Sequence, residues 1–148
     1  HMEKSMYKVI FQNHDFILLK TEQKGLCVVA ARNFKINETL FLVPYIQEYI
    51  ENLNKTQLKH YYIVDDANSL IGYIAFGLCS FLSHCKTKQN VNYDFDYDNF
   101  LVRFYTTEDI EKGQELIIDY RYNETEKIEF EEQATIFLAL NTGGIYAS

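Results

Sequence analysis

The N-terminal third of the chain alternates between short apolar runs and turn-prone breaks. The runs are rich in β-branched and aromatic residues, and the breaks fall at 13 to 14, 24 to 25 and 33 to 37. Such punctuation is typical of small antiparallel β-sheets. Four strands are therefore predicted: YKVIF at 7 to 11, DFILLK at 15 to 20, LCVVAA at 26 to 31 and TLFLVP at 39 to 44.

In the middle of the chain the spacing of apolar residues changes to that of a helix. Residues 45 to 63 carry apolar side chains at helix-compatible intervals, which predicts one or two short helices. Asn68 or Ser69 then has the side chain of an N-terminal helix cap. The apolar stripe that follows predicts a further helix, and it consists of Leu70, Ile71, Ile74, Ala75 and Leu78.

Strands return later in the chain, and they are predicted at 91 to 93, 100 to 105 and 115 to 120. Asn123 and Glu126 have the spacing of a capping box, which predicts a C-terminal helix ending near Gly143. The chain is therefore expected to be mainly β with short helices. We expect a cloning remnant at 1 to 2, one domain at 7 to 122 and a helical flank at 123 to 148.

Composition supports a single globular domain. The chain has 148 residues, of which 47% are hydrophobic, enough for a self-supporting core. We expect no leader, and no apolar run approaches the roughly 20 residues needed to cross a bilayer. Its three irregularly spaced cysteines argue against a disulfide framework. We therefore expect an intracellular protein of the cytoplasm or nucleus, or of a host cell if the chain is viral or bacterial.

The chain is acidic, with 14 basic against 21 acidic residues and a net charge of −7. This charge disfavours binding to nucleic-acid phosphates and favours a cationic partner such as a lysine-rich peptide. The alternative is that the charge only confers solubility.

The apolar run before residue 83 stops at Ser83-His84-Cys85, where reactive side chains are concentrated. His84 with Cys79 and Cys85 is only a fragment of a structural zinc site, so no metal is expected. A Cys85-His84 nucleophile pair is disfavoured because adjacent side chains generally point apart. Cys27 and Cys79 are interpreted as small buried hydrophobic residues.

Two tyrosines, Tyr120 and Tyr122, lie where the last predicted strand ends, beside polar neighbours. Tyrosines in this position either wall a pocket or pack in a core. The residues alone leave both interpretations open.

Three stretches, in order, resemble the motifs of one family. The first stretch resembles a G-x-G segment followed by a turn, and it reads KGLCVVAARNFKINETLF (24 to 41). The second resembles an N-H-S core with a downstream P-N, and it reads GLCSFLSHCKTKQNV (77 to 91). The third resembles the pattern I-x-x-G-E-E-L-x-x-x-Y, and it reads IEKGQELIIDY (110 to 120). The chain thereby resembles the SET-domain family of protein lysine methyltransferases, most closely its minimal viral and bacterial-type members. The resemblance implies a β-clip fold of small antiparallel sheets with a pseudoknot and a C-terminal helix.

The chain departs from the family pattern at several positions. Cys27 replaces the second glycine of the first motif, while Ser83 and Cys85 replace the asparagine and serine of N-H-S. The loop at 86 to 90 is also altered. Asn37 replaces a turn glycine, a mild change because asparagine tolerates the left-handed conformation.

The resemblance implies an S-adenosylmethionine-dependent protein-lysine N-methyltransferase that acts on a basic tail such as a histone's. Tyr120 is the implied catalytic residue, whose hydroxyl aligns the lysine amine. The implied cofactor-binding residues are Gly25, Leu26, Cys27, Tyr61, Ser83 and His84, and the implied walls of the substrate channel are Tyr61, Ile118 and Tyr122.

Ile118 stands where many family members carry a phenylalanine or tyrosine, so more than one methyl group is expected to fit. The competing hypothesis is a catalytically degenerate SET module that binds a peptide or protein partner, motivated by Ser83, Cys85 and the altered loop. Homodimerisation is compatible with both hypotheses, and neither includes binding to a membrane or to nucleic acid.

Overall fold

The computed structural model describes residues 7–121 and Phe137. Within them, ten short β-strands are joined by turns and three brief helical segments. The strands are β1 (Tyr7–Gln12), β2 (Phe16–Thr21), β3 (Gly25–Ala30), β4 (Thr39–Tyr49), β5 (Ile63–Asp65), β6 (Asn68–Ala75), β7 (Ser83–His84), β8 (Val91–Asp96), β9 (Leu101–Thr106) and β10 (Ile117–Ile118). The helical segments are α1 (Ile50–Leu53) and the 3-10 helices Gln57–His60 and Leu78–Phe81.

The strands form two sheets. The first has the order β1-β2-β3 and is antiparallel, and the second has the order β5-β6-β4-β9-β8-β10-β7. Strand β2 is apolar in four consecutive positions because both of its faces are covered. Phe16 and Leu18 belong to the main core, whereas Ile17 and Leu19 pack in a smaller cluster on the opposite face.

Aromatic rings join the two sheets into one core. The ring of Phe16 in the first sheet stacks on Phe41 of the second, with centroids 4.4 Å apart. Phe41 in turn meets Phe104 edge-on at 6.1 Å. Because these rings are almost fully buried, their burial contributes a large part of the hydrophobic stabilisation.

Strands β1 to β4 confirm the four strands predicted in the N-terminal third. Strands β8 and β9 confirm the strands predicted at 91 to 93 and 100 to 105. Asn37 has φ +65°, so the left-handed conformation expected at this turn is present. The strand predicted at 115 to 120 is shorter, and β10 pairs in parallel with β7 and β8 rather than in an antiparallel ladder. Parallel strands that are far apart in the chain are not joined by a short turn, so no turn motif in the sequence predicts their pairing.

The helix predicted from Leu70, Ile71, Ile74, Ala75 and Leu78 is wrong, because this segment is strand β6, followed by a 3-10 helix. Strand β6 is hydrogen-bonded to β4 on one side and to β5 on the other. The predicted cap, Asn68, instead accepts a bond from the Leu70 N–H and forms the turn into the strand. Pairing on both edges therefore overrides the helical spacing.

The short helices predicted at 45 to 63 are confirmed in part by α1 and by Gln57–His60, where Thr56 Oγ1 accepts from the Leu58 N–H at 3.0 Å. The first residues of that range instead extend β4 to Tyr49. The C-terminal helix predicted at 123 to 148 lies outside the described residues. In the part of the chain that is described, no helix has the length and hydrophobicity needed to cross a membrane.

Candidate active site

In the second sheet, β10 lies between β7 and β8, although both of these strands precede it in the chain. The later strand is therefore threaded between two earlier ones. The Cys85 N–H donates to the Ile118 carbonyl at 3.0 Å. On the other side, Asn90 completes the pairing with its side chain. Its Oδ1 accepts from the Ile117 N–H at 2.8 Å and its Nδ2 donates to the Glu115 carbonyl at 2.9 Å.

This threading brings His84 against Tyr120. The Tyr120 N–H donates to His84 Nδ1 at 2.8 Å, and the two rings meet with centroids 5.2 Å apart. Because Nδ1 accepts a hydrogen bond it holds no proton, so the imidazole is neutral with its proton on Nε2. The Asp119 carboxylate lies 3.9 Å from Nδ1.

The Tyr120 side chain is buried, and its hydroxyl donates to the Leu82 carbonyl at 2.6 Å. Burial, with smaller contributions from Cys79 and Tyr61, raises the pKa of the Tyr120 phenol. At neutral pH the hydroxyl therefore keeps its proton and acts as a hydrogen-bond donor.

A cavity of about 280 Å³ opens beside these groups. Six residues predicted to act at the site line it: Gly25, Leu26, Tyr61, Ser83, His84 and Tyr120. Two others do not, because Cys27 and Ile118 are 0% exposed and pack in the core clusters. Tyr122 lies outside the described residues.

Sequence reasoning missed five further residues of the cavity wall. Phe81 and Leu82 belong to an apolar run that predicts only a core, although the Tyr61 and Phe81 rings form an edge-to-face wall with centroids 6.1 Å apart. Four of the five lie inside the first two motif ranges, 24 to 41 and 77 to 91, and this was the available signal. The missed residues are Lys24, His60, Ser80, Phe81 and Leu82.

An ion pair lies at the cavity wall. Lys24 Nζ donates to both carboxylate oxygens of Glu115, at 2.8 and 2.9 Å. Ser83 Oγ donates to the same carboxylate. Strand β3 and the segments around β7 and β10 are therefore tied together by side chains as well as by backbone.

The cysteines lack the features of reactive thiols. Burial raises the pKa of Cys27 and of Cys79 to about 12, so both thiols are protonated at neutral pH. Both are buried as predicted. Cys85 is also buried, with its Sγ 3.5 Å from Thr87 Oγ1. Across residues 7–121 and Phe137, no three His, Cys, Asp or Glu side chains are grouped to hold a metal ion.

The strand order, the threaded segment and the cavity beside Tyr120 can be compared with known domains. The model of the SET domain matches residues 25–121. The chain belongs to the SET-domain family. The matched range includes the three SET motifs except for Lys24, and it ends one residue after Tyr120. No curated protein sequence matches the chain significantly.

Solved SET structures share the fold. A Plasmodium falciparum protein named as a candidate histone methyltransferase is 19% identical, with a TM-score of 0.56, over 78% of this chain and 100% of its own. The Cryptosporidium protein CpSET8 is 20% identical with a TM-score of 0.55, over 73% of this chain and 58% of its own. ATXR5, solved in complex with histone H3.1, is 22% identical with a TM-score of 0.58, over 76% of this chain and 59% of its own.

Proposed function

We propose that this SET domain is an S-adenosylmethionine-dependent protein-lysine N-methyltransferase that acts on a basic protein tail, such as that of a histone. The observation that carries the proposal is the convergence of three SET motifs on one cavity. Gly25 comes from the first motif, His84 from the second and Tyr120 from the third, and all three line the cavity. The histone methyltransferases among the similar structures support the same class of activity.

The cavity offers S-adenosylmethionine suitable chemical groups. Its volume, about 280 Å³, lies just below the usual range for small-molecule sites, about 300 to 1,000 Å³. Gly25 has φ +72°, and a Cβ built on it would meet nothing within 4 Å, so a ligand can approach this backbone closely. Tyr61 and Phe81 offer an aromatic wall for an adenine, while Lys24 and Ser83 offer polar groups for an amino acid.

The residues of the site fit methyl transfer without a dedicated base. When bound, S-adenosylmethionine supplies a methyl group on a positively charged sulfonium. The accepting lysine must be neutral, although its usual pKa is about 10.4. Enclosure beside Tyr61 and Tyr120 disfavours the ammonium form and lowers that pKa.

Tyr120 is the proposed positioning and catalytic group. Its phenol remains protonated, and the hydrogen bonds to Leu82 and His84 fix both its hydroxyl and its backbone. A rigid hydroxyl can align the amine lone pair for in-line attack, and positioning of this kind lowers barriers by as much as about 7 to 11 kcal/mol in favourable cases.

A cationic tail is the proposed substrate class because the chain carries a net charge of −7. A reducing compartment is part of the same proposal, since three irregularly spaced cysteines do not suit a disulfide framework.

We also propose that the enzyme adds more than one methyl group to its lysine. Ile118 is smaller than a phenylalanine or tyrosine and has no hydroxyl. It is fully buried in the main core, so this part of the proposal rests on its smaller volume at that position of the third motif. Mass spectrometry of a lysine peptide after prolonged reaction should show two or three added methyl groups, and a product that stops at one would exclude this part of the proposal.

The test of the function is radiolabelled methyl transfer to histones by the wild type and by Tyr120→Phe. The substitution should lower the rate on the order of 100-fold or more, as loss of a single positioned hydrogen-bonding group does elsewhere. Tyr49→Phe is the matched control, because Tyr49 is 56% exposed at the end of β4, and its rate should be unchanged. Equal rates for Tyr120→Phe and the wild type would refute the role of Tyr120.

Titration calorimetry with S-adenosylhomocysteine separates the enzyme from a degenerate module that only binds a partner. The enzyme should bind this product of the cofactor, and the degenerate module should not. A wild-type chain that shows no binding heat would end the methyltransferase proposal.

A further inference from the structure

Two turns at one end of the second sheet bring exposed aromatic rings and carboxylates together. The turn between β8 and β9 carries Tyr97, which is 45% exposed, and Phe100, which is 67% exposed. The turn between β5 and β6 meets it where the Tyr97 hydroxyl donates to the Asp65 carboxylate. The Tyr97 surface, as we call it, consists of Asp65, Asp66, Asp96, Tyr97, Asp98 and Phe100.

Neither burial nor backbone conformation accounts for a phenylalanine at position 100. Phe100 has φ +57°, in the left-handed region that favours glycine or asparagine. Its ring contacts Tyr45, with centroids 6.4 Å apart, but most of the side chain stays in water. A large ring held in this conformation and left exposed beside a second exposed ring indicates an interaction site.

The charge of the Tyr97 surface is negative. The hydrogen bond from Tyr97, with a smaller contribution from the charge of Arg121, lowers the pKa of Asp65, so this carboxylate is ionised at neutral pH. In the part of the chain that the structure describes, the other three aspartates of the surface form no salt bridge. The surface therefore attracts a cation, and it repels nucleic-acid phosphates and a second copy of this acidic chain.

The arginines of the chain itself show which cation suits aromatic rings beside carboxylates. The chain has three, and each lies over a ring with its guanidinium carbon 3.9 to 4.5 Å from the ring centre: Arg32 over Phe34, Arg103 over Tyr105 and Arg121 over Tyr93. Arg32 also pairs with Asp15, and Arg103 with Asp94. A planar guanidinium can stack on a ring while its N–H groups bond to carboxylates, whereas the ammonium of lysine is a compact point charge.

We propose that the Tyr97 surface binds an arginine-containing basic segment of a partner protein. The guanidinium stacks on the exposed rings, and the neighbouring aspartates accept hydrogen bonds from its N–H groups. Among the described residues, no arginine lies over Tyr97 or Phe100. The inference goes beyond the proposed methyl transfer and does not depend on it, because the recognised side chain is not a lysine.

The Tyr97 ring is held in place before a partner arrives. Phe95 stacks on one of its faces, with centroids 5.2 Å apart and an angle of 10° between the planes. The Tyr97 hydroxyl is fixed by its bond to Asp65. Since little freedom of this ring remains to be lost, stacking of a guanidinium on its exposed part carries a smaller entropic cost.

Fluorescence anisotropy on the intact chain tests the proposal with a labelled peptide of alternating arginine and glycine. The peptide has no lysine, so its binding is separate from methyl transfer. The wild type should bind it more tightly than the same peptide with lysine in place of arginine, which cannot stack as well, or with citrulline, which has no charge. An affinity for the arginine peptide no higher than for the lysine peptide would exclude the proposal.

Phe100→Asn removes the ring and gives the turn a residue that tolerates positive φ, so this variant should fold at least as well as the wild type. Its affinity for the arginine peptide should fall about 2- to 5-fold, the range for an exposed cation–π contact. Phe11→Asn is the matched control, because Phe11 is 48% exposed in β1 of the other sheet, and its affinity should be unchanged. No loss in Phe100→Asn, or an equal loss in both variants, would overturn the proposal.

Asp98→Asn and Glu108→Gln separate the local charge from the net charge. Each removes one exposed negative charge, but Asp98 belongs to the Tyr97 surface, whereas Glu108 lies in the turn at the opposite end of β9. Only Asp98→Asn should weaken binding of the arginine peptide, by about 2- to 5-fold. Equal losses would assign the binding to the charge of the whole chain and exclude the surface.

Two further measurements identify other outcomes. Titration with S-adenosylhomocysteine tests the proposed function separately: a wild type that binds this ligand but not the arginine peptide overturns the present inference alone, and the reverse result leaves it standing. Sedimentation velocity tests the other occupant. A wild-type dimer that becomes monomeric in Phe100→Asn would assign the surface to a second copy of the chain and overturn the proposal.

Discussion

Tyr120 donates two hydrogen bonds to one neighbouring segment. Its N–H donates to His84 Nδ1 at 2.8 Å, and its hydroxyl donates to the Leu82 carbonyl at 2.6 Å. One acceptor is a side chain and the other is backbone, and Ser83 supplies neither. The unusual Ser83 and Cys85 beside His84 therefore leave the orientation of the tyrosine intact.

The acceptor at His84 can be tested with two variants of nearly equal shape. His84→Asn places an oxygen on Cγ where Nδ1 was, whereas His84→Leu has no acceptor there. The leucine variant leaves the buried Tyr120 N–H without its bond, which costs about 1 to 3 kcal/mol. Chemical denaturation should therefore show the asparagine variant to be more stable, although leucine is the more hydrophobic side chain.

Affinity for S-adenosylhomocysteine should follow the same order, since a misplaced Tyr120 deforms the cavity wall. A leucine variant as stable as the asparagine variant would show that the Nδ1 acceptor does not fix Tyr120.

Sequence reasoning predicted some of these residues and missed others for a physical reason. His84 and Tyr120 lie within short motifs, so local spacing suffices to find them. The Lys24–Glu115 pair joins residues 91 positions apart, and each is an ordinary surface type when considered alone. Leu82 acts through its carbonyl, which every residue has.

At the scale of single elements, β6 shows where periodicity misleads. Its sequence, NSLIGYIA, places apolar residues at both helical and strand-like spacing. The β-branched and aromatic residues around Gly72 favour a strand, and hydrogen bonds to β4 and β5 settle the choice. The spacing of apolar residues does not report which neighbours a segment will have.

A substitution at Gly72 distinguishes the predicted helix from the observed strand, because it should change the free energy of unfolding in opposite directions in the two structures. In a helix, alanine in place of glycine stabilises by about 0.5 to 1 kcal/mol. In the observed strand, a Cβ would lie 2.6 Å from Leu53 Cδ1 and 2.8 Å from Tyr62 Cδ1. Gly72→Ala should therefore destabilise the domain by about 1 to 3 kcal/mol through overpacking, measured by urea unfolding.

Ser69→Ala is the control in the same strand, because Ser69 is exposed, and its unfolding midpoint should barely change. A Gly72→Ala protein more stable than the wild type would contradict the packing of β6 against α1.

At the scale of the whole molecule, the net charge of −7 predicts how a basic peptide associates with the domain. Between about 0.01 M and 1 M salt the screening length falls from about 30 to 3 Å. Binding of a lysine-rich tail peptide, followed by fluorescence anisotropy, should weaken about ten-fold or more over this range. A neutral peptide with one lysine is the control, and an equal loss for that peptide would refute electrostatic attraction.

The sequence predicted which segments form strands better than it predicted how those strands pair. Strands β1 to β4 follow from local alternation and turns. The parallel insertion of β10 between β7 and β8 has no such origin, because it depends on pairing across more than 25 residues of chain. The family motifs implied a pseudoknot, whereas residue patterns alone favoured antiparallel sheets.

The insertion of β10 also determines the stage of protein synthesis at which the cavity can form. Until Ile117 and Ile118 have left the ribosome, β7 and β8 have nothing between them, and His84 has no Tyr120 to hold. A nascent chain that stops short of this point lacks the wall of the site, however well its N-terminal sheet has formed. A ligand of this cavity could therefore bind during translation only once residues up to Tyr120 have been synthesised.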